Sequence, residues 1–169
     1  MKRILKTIDA ISEYSGRVTS WLCVVLVLVL CFETFMRYVF NAPTSWAHVT
    51  SMMILGTIIL IGLAYTELYS GHVRVDVLYR FFPPRAKAIL DVLGAAVLLF
   101  PLLYLLLKVS VGWAIAAWVE HEIWTISMWR PPSGPFRTIV VLGIFLYALQ
   151  SLAVFARNIL ILIGRKNNA

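Results

Sequence analysis

Charge is the scarcest property of this sequence: Asp, Glu, Lys and Arg make up 14% of its 169 residues, where soluble domains carry roughly a quarter. That scarcity excludes a water-exposed surface over most of the chain. With 61% hydrophobic residues, it places the protein in a bilayer. Acidic residues are rarer still, 8 against 15 Lys and Arg, for a formal charge of +7. The excess does not point to nucleic acid, because the cations fall at the ends of apolar runs rather than in a stripe on a soluble face.

Cysteine and histidine are equally thin. Cys23 and Cys31 lie eight residues apart in one apolar run, about 12 Å along a helix and beyond the roughly 7 Å between Cα atoms that a disulfide tolerates. They read as small apolar side chains. His48, His72 and His121 all fall at the ends of apolar runs or between them, so none offers an axial haem ligand from inside a span. Glu120, His121 and Glu122 put three ligand types side by side, but neighbours on a helix do not face one another. The sequence also has no Ser-His-Asp order, Gly-rich phosphate loop or paired intramembrane carboxylates. The expectation is no catalytic residue, no metal and no cofactor. Four spans with a single mid-span amide also lack the repeats and broken helices of a self-sufficient carrier.

What the chain does have is four uncharged stretches, at 18–32, 49–66, 92–107 and 138–156. Extended to their flanks they give spans of about 16–38, 46–68, 88–110 and 136–162, each near the roughly 20 residues that cross a hydrocarbon core. Backbone polar groups in lipid must be paired within the segment, so the fold class is an all-α integral membrane protein, a single membrane domain over 1–169. The start at Met1-Lys2-Arg3 does not read as a cleaved leader, because no small-x-small site follows the first run; an uncleaved span is expected.

Cations set the orientation. Eleven (Lys2, Arg3, Lys6, Arg17, Arg74, Arg80, Arg85, Lys87, Arg157, Arg165 and Lys166) flank one side and three (Arg37, Arg130 and Arg137) the other, with Lys108 unassigned. The expectation is therefore that both termini and the 71–87 connector are cytoplasmic. Trp46, Trp113, Trp118, Trp124 and Trp129 gather near the two outer connections, where indole rings anchor at headgroup level. Before the first span, apolar Ile4, Leu5, Ile8 and Ile11 alternate with polar positions at helical spacing, predicting a surface-lying helix over about 3–14. Val77, Leu78, Phe81 and Phe82 predict a similar segment in the connector, stopped by Pro83-Pro84. In the third span, a helix over 91–119 would be about 43 Å long. The favoured course leaves the core near Lys108, whose ammonium then snorkels to headgroups.

A few polar residues in or beside the spans are candidate contacts to a partner subunit or to lipid. Glu33 and Arg37 share a helical face four residues apart, as a self-neutralising pair or as a partner contact. Gln150 lies mid-span, where an amide seeks a partner across a helix interface. Glu67 near His72 and Arg74 reads as local capping and pairing.

Three segments together resemble one family. Arg37-Tyr38-Val39-Phe40-Asn41-Ala42-Pro43-Thr44-Ser45-Trp46, Gly71-His72-Val73-Arg74-Val75-Asp76 and Pro83-Pro84-Arg85 are similar, in order and spacing, to the small membrane subunit (Q-type) of tripartite ATP-independent periplasmic (TRAP) transporters. The resemblance implies a noncatalytic bacterial inner-membrane protein that scaffolds a large permease subunit, which carries substrate and sodium sites and moves as an elevator. A periplasmic substrate-binding protein delivers the solute, usually an organic acid. Where members often have a glutamate just after the tryptophan of the first outer loop, Ala47, His48 and Val49 follow Trp46 here. Ser127-Met128-Trp129-Arg130-Pro131-Pro132 resembles a subgroup and suggests a carboxylate substrate. In this frame Arg37 and Trp46 anchor an outer corner and Trp129 and Arg130 form a stiff outer surface. His72, Arg74, Asp76 and Arg80 then face the partner or the inner headgroups. The competing class is the membrane anchor of a respiratory redox complex.

Overall fold

The computed structural model describes residues 2–69, 89–90 and 92–162. The connector carrying His72, Arg74, Asp76 and Arg80, and the last cations Arg165 and Lys166, lie outside the described residues. Four helices are long and apolar enough to cross a membrane: α1 (Lys2–Val39), α2 (Ala47–Leu68), α3 (Val92–Val119) and α4 (Gly134–Leu162). The described residues contain no strand, only an isolated bridge between Ile123 and Pro132. The fold is all-α.

The expected surface helix at 3–14 and the span at 16–38 are joined in the single helix α1, 38 residues long. Gly16 falls at the junction without breaking it. Its missing Cβ is used laterally, since a methyl there would overlap the Tyr65 ring of α2. The helix ends at Val39 because the chain turns at Asn41, which takes the left-handed φ of 49° that Asn tolerates. The Ala42 N–H then bonds back to the Met36 carbonyl at 3.1 Å.

α3 continues past Lys108 to Val119 and opens into one π-helical segment at Ala95–Leu99, closed by the Phe100 N–H on the Ala95 carbonyl. Pro101 explains the position: it has no N–H to donate and its ring crowds the carbonyl four residues back, strain that a locally wider helix relieves. At the other end His121, again at φ 49°, closes α3, with the Glu122 N–H on the Ala117 carbonyl at 3.1 Å.

α2 and α4 pack side by side at the centre, α3 lies against α4, and α1 lies against α2 while also reaching α4. α2 and α4 occupy the middle, with 17% and 28% of their most apolar windows buried against 6% in α1 and in α3. α1 runs antiparallel to α2, with Gly16 against Tyr65 at one end and Phe32 stacked on Trp46 at 5.9 Å at the other. α2 and α4 run parallel. α3 is antiparallel to α4, pinned by Phe100 on Phe155 at 5.0 Å and by the Trp118 indole N–H on the Thr138 hydroxyl at 3.0 Å. The α3 seam is narrow: its buried residues, Leu103, Ser110 and Ala117, repeat every seven positions, as a helix edge touching one neighbour should.

Lipid tails are as apolar as leucine, so these helices associate through close packing rather than through hydrophobic expulsion from water. The closest backbone approach is at Gly143, where an added Cβ would lie 2.8 Å from the Leu60 Cβ and 3.1 Å from its backbone carbon. Gly143→Ala should therefore separate α2 from α4 and destabilise the protein by about 1–3 kcal/mol. Gly112→Ala, at a position with nothing within 4 Å, should be neutral or stabilising by up to about 1 kcal/mol. Unfolding of both variants in mild detergent, followed by circular dichroism against added denaturing detergent, measures the difference; equal midpoints would remove the role given to the Gly143 contact.

Candidate partner and lipid surfaces

One polar seam ties α1 to α4. Gln150, fully buried, accepts from the Ser12 hydroxyl at 2.8 Å and donates its amide N–H to Asp9 at 3.1 Å. Asp9 also takes the Arg157 guanidinium in an ion pair. Local geometry makes this stripe: Asp9 and Ser12 are three residues apart on α1, while Gln150 and Arg157 are seven apart on α4, so each pair shares a face. Gln150 is thus enclosed within the chain, and its whole side chain serves α1. Each interhelical hydrogen bond in a membrane contributes on average about 0.6 kcal/mol. Leaving the partners of a deleted group buried is the larger effect.

The corner after α1 is organised by Glu33. Its carboxylate accepts from Arg37 at 2.6 and 3.2 Å and from the Thr44 N–H at 3.0 Å, with the Thr44 hydroxyl on the same oxygen. The Glu33 side chain is only 12% exposed and that of Arg37 56%. Glu33 therefore fastens the 40–46 turn to α1, while part of Arg37 remains open to a neighbour. Trp46, stacked on Phe32, stays partly exposed.

The connection between α3 and α4 folds back on itself. The Ser133 N–H and hydroxyl both reach the Glu122 carbonyl, at 2.9 and 3.0 Å, and the Trp124 N–H reaches the Pro131 carbonyl at 3.0 Å. This pairing pushes the tip outward, where Met128 is 92% exposed and Ile126, Trp129 and Arg130 are also exposed. The Ser127 hydroxyl, bonded to the Trp129 carbonyl at 2.7 Å, stiffens the tip. Below it, Arg137 pairs with Glu122 at 2.6 Å, donates to the Trp113 carbonyl at 3.1 Å and lies over the Trp113 ring at 5.9 Å.

Of the candidate residues, Glu33, Arg37 and Trp46 meet at one corner, Trp129 and Arg130 share the second outer tip, and Gln150 sits apart in the seam. Sequence reasoning did not single out Asp9, Ser12 and Arg157 as its partners. Their only signal is the shared-face spacing within each helix, which cannot say that the two faces meet. The described residues hold no group of three or more His, Cys, Asp or Glu able to bind a metal ion.

These features define a multi-pass membrane protein whose polar groups brace its own helices and whose outward features are a corner and a loop tip. Residues 26–160 match the family model described as tripartite ATP-independent periplasmic transporters, DctQ component. The chain belongs to that family, the small component of TRAP transporters, and the match decides against the redox-anchor alternative. No curated protein and no solved structure matches the chain.

The seam yields a direct test. Gln150→Leu should destabilise the protein by about 1–3 kcal/mol by stranding the buried Ser12 hydroxyl and removing one of the two partners of Asp9, and a double-mutant cycle of Asp9→Ala with Arg157→Ala should show favourable coupling. Additive losses in the same unfolding assay would mean that the ion pair does not join α1 to α4.

Proposed function

We propose that this chain is the noncatalytic scaffold subunit of a sodium-coupled TRAP transporter for organic acids. It lies in a bacterial inner membrane with both termini and the 71–87 connector in the cytoplasm. The observation that carries the reading is the family match over 26–160. The pathway and its sodium sites then belong to a large permease subunit, whose stationary part this chain widens. Sodium coupling and the carboxylate class of substrate rest on the family resemblance and on the 127–132 segment.

In this reading Arg37, Trp46, Trp129 and Arg130 form the outward surface that helps receive the periplasmic substrate-binding protein. The exposed guanidinium of Arg37 and the stiff tip at Trp129 supply charge and low-entropy contact area. His72, Arg74, Asp76 and Arg80 fix the inner edge against the large subunit and anionic headgroups. Lys108, exposed on the side of α3 away from α4, faces headgroups or the partner.

Affinity purification in mild detergent should recover the chain in a stable complex with a large polytopic permease; isolation alone, or with redox subunits, would overturn the assignment. Topology is tested at Met128, the most exposed residue of the outer tip. With Cys23 and Cys31 replaced by Ala, Met128→Cys should react with an impermeant thiol reagent added to intact spheroplasts. Labelling only after lysis would reverse the orientation.

A further inference from the structure

The chain carries a built groove that subunit scaffolding does not use. It lies between α3 and α4 beneath the second outer loop and encloses about 360 Å³. Its wall is aromatic, with Trp113 on α3 and the Trp124–Phe136 pair packed edge to face at 5.8 Å. Val140, inside the α4 span, lines its deeper part. The only full charges on the lining are Arg137 and Glu122, joined at 2.6 Å with their side chains 27% and 42% exposed. Both keep capacity beyond this bond, since a guanidinium has five N–H donors and a carboxylate about four lone-pair sites.

We propose that the groove holds the headgroup of one zwitterionic, primary-ammonium phospholipid, a phosphatidylethanolamine, its phosphate on Arg137 and its ammonium on Glu122, with the acyl chains outside the groove. The charge pattern selects this occupant. A simple anion gains Arg137 only against the neighbouring Glu122 carboxylate, and a simple cation meets the reverse. A headgroup carrying both charges satisfies both members of the pair without breaking it. The indole walls match the headgroup level, where Trp is favoured. The deeper part at Val140 opens between two spanning helices, where acyl chains are the solvent. A peptide segment there would need partners for its backbone groups. The inference rests on placement of α3 and α4 in a bilayer and is independent of the transport assignment.

Native mass spectrometry of the full chain, delipidated in mild detergent and titrated with dioleoyl phosphatidylethanolamine or dioleoyl phosphatidylglycerol, tests it. The wild type should retain the ethanolamine lipid about fivefold better, a difference of about 1 kcal/mol. Glu122→Gln removes the negative charge facing the ammonium and frees Arg137, so it should reverse the preference toward phosphatidylglycerol. Arg137→Gln should weaken both lipids. Because Arg137 also braces the Trp113 carbonyl, a photo-crosslinking amino acid at Val140 in otherwise unchanged protein gives a second readout. Crosslinks to phospholipid in native membranes support the site. An unchanged lipid preference in Glu122→Gln, or crosslinks to polypeptide alone, would overturn it.

Discussion

The structure depends on the approach of α2 and α4 at Gly143 and Leu60. In water, apolar faces this large would collapse together; in lipid they gain nothing by meeting, and only close backbone packing or polar pairing holds helices at fixed distances. Gly143 supplies the first by letting the Leu60 backbone come within van der Waals range of its Cα face. With α2 and α4 set side by side and parallel, α3 needs only α4, while α1 lies against α2 and ties to α4 through Asp9 and Ser12. The result is an open arrangement rather than a closed bundle. The weak burial of both outer helices follows from that order and is no defect of packing.

Polar groups then fix what packing leaves free. Sliding of α1 against the α2–α4 pair is resisted at one end by the Asp9, Ser12, Gln150 and Arg157 seam and at the other by Glu33 fastening Thr44. Rotation of α3 about its narrow seam is resisted by the Trp118–Thr138 bond and by Arg137 reaching the Trp113 carbonyl. Apart from Gln150, the interhelical ties lie near helix ends. Helix ends are where such ties are cheapest, because partly exposed charges keep some hydration while a mid-span charge must lose it. Gln150 is the most deeply enclosed group in the set, and it is neutral.

The four helices were legible because uncharged stretches of this length have one stable form in lipid. Their neighbours were not. A soluble helix shows its inward face as an apolar stripe, whereas α2 and α3 are apolar all round, so hydrophobic periodicity carries no information about which side meets what. The Glu33–Arg37 pair was readable from its spacing of four, but Thr44, the group that gives the pair its structural use, arrives from a turn. Likewise the polar character of Asp9 suggested a helix lying on the membrane surface. Its actual partners are on α4, more than 140 residues away, and α1 runs unbroken through Gly16. The family resemblance was readable because it rests on short loop motifs, and loops are where charge and proline punctuate a lipid-embedded chain.

An open arrangement of helices differs from a closed bundle in where its polar groups lie. A closed bundle turns its polar groups toward a shared interior, where they must do the work of a site. Here the polar groups that brace the protein lie at pairwise helix contacts, between α1 and α4 and between α3 and α4. Exposed polar and aromatic groups gather at the rims: the Arg37 and Trp46 corner, the tip at 126–130, and the groove at Glu122 and Arg137. The near-absence of charge from the middle of the four spans keeps their faces compatible with lipid and leaves most charged residues near the ends of the spans.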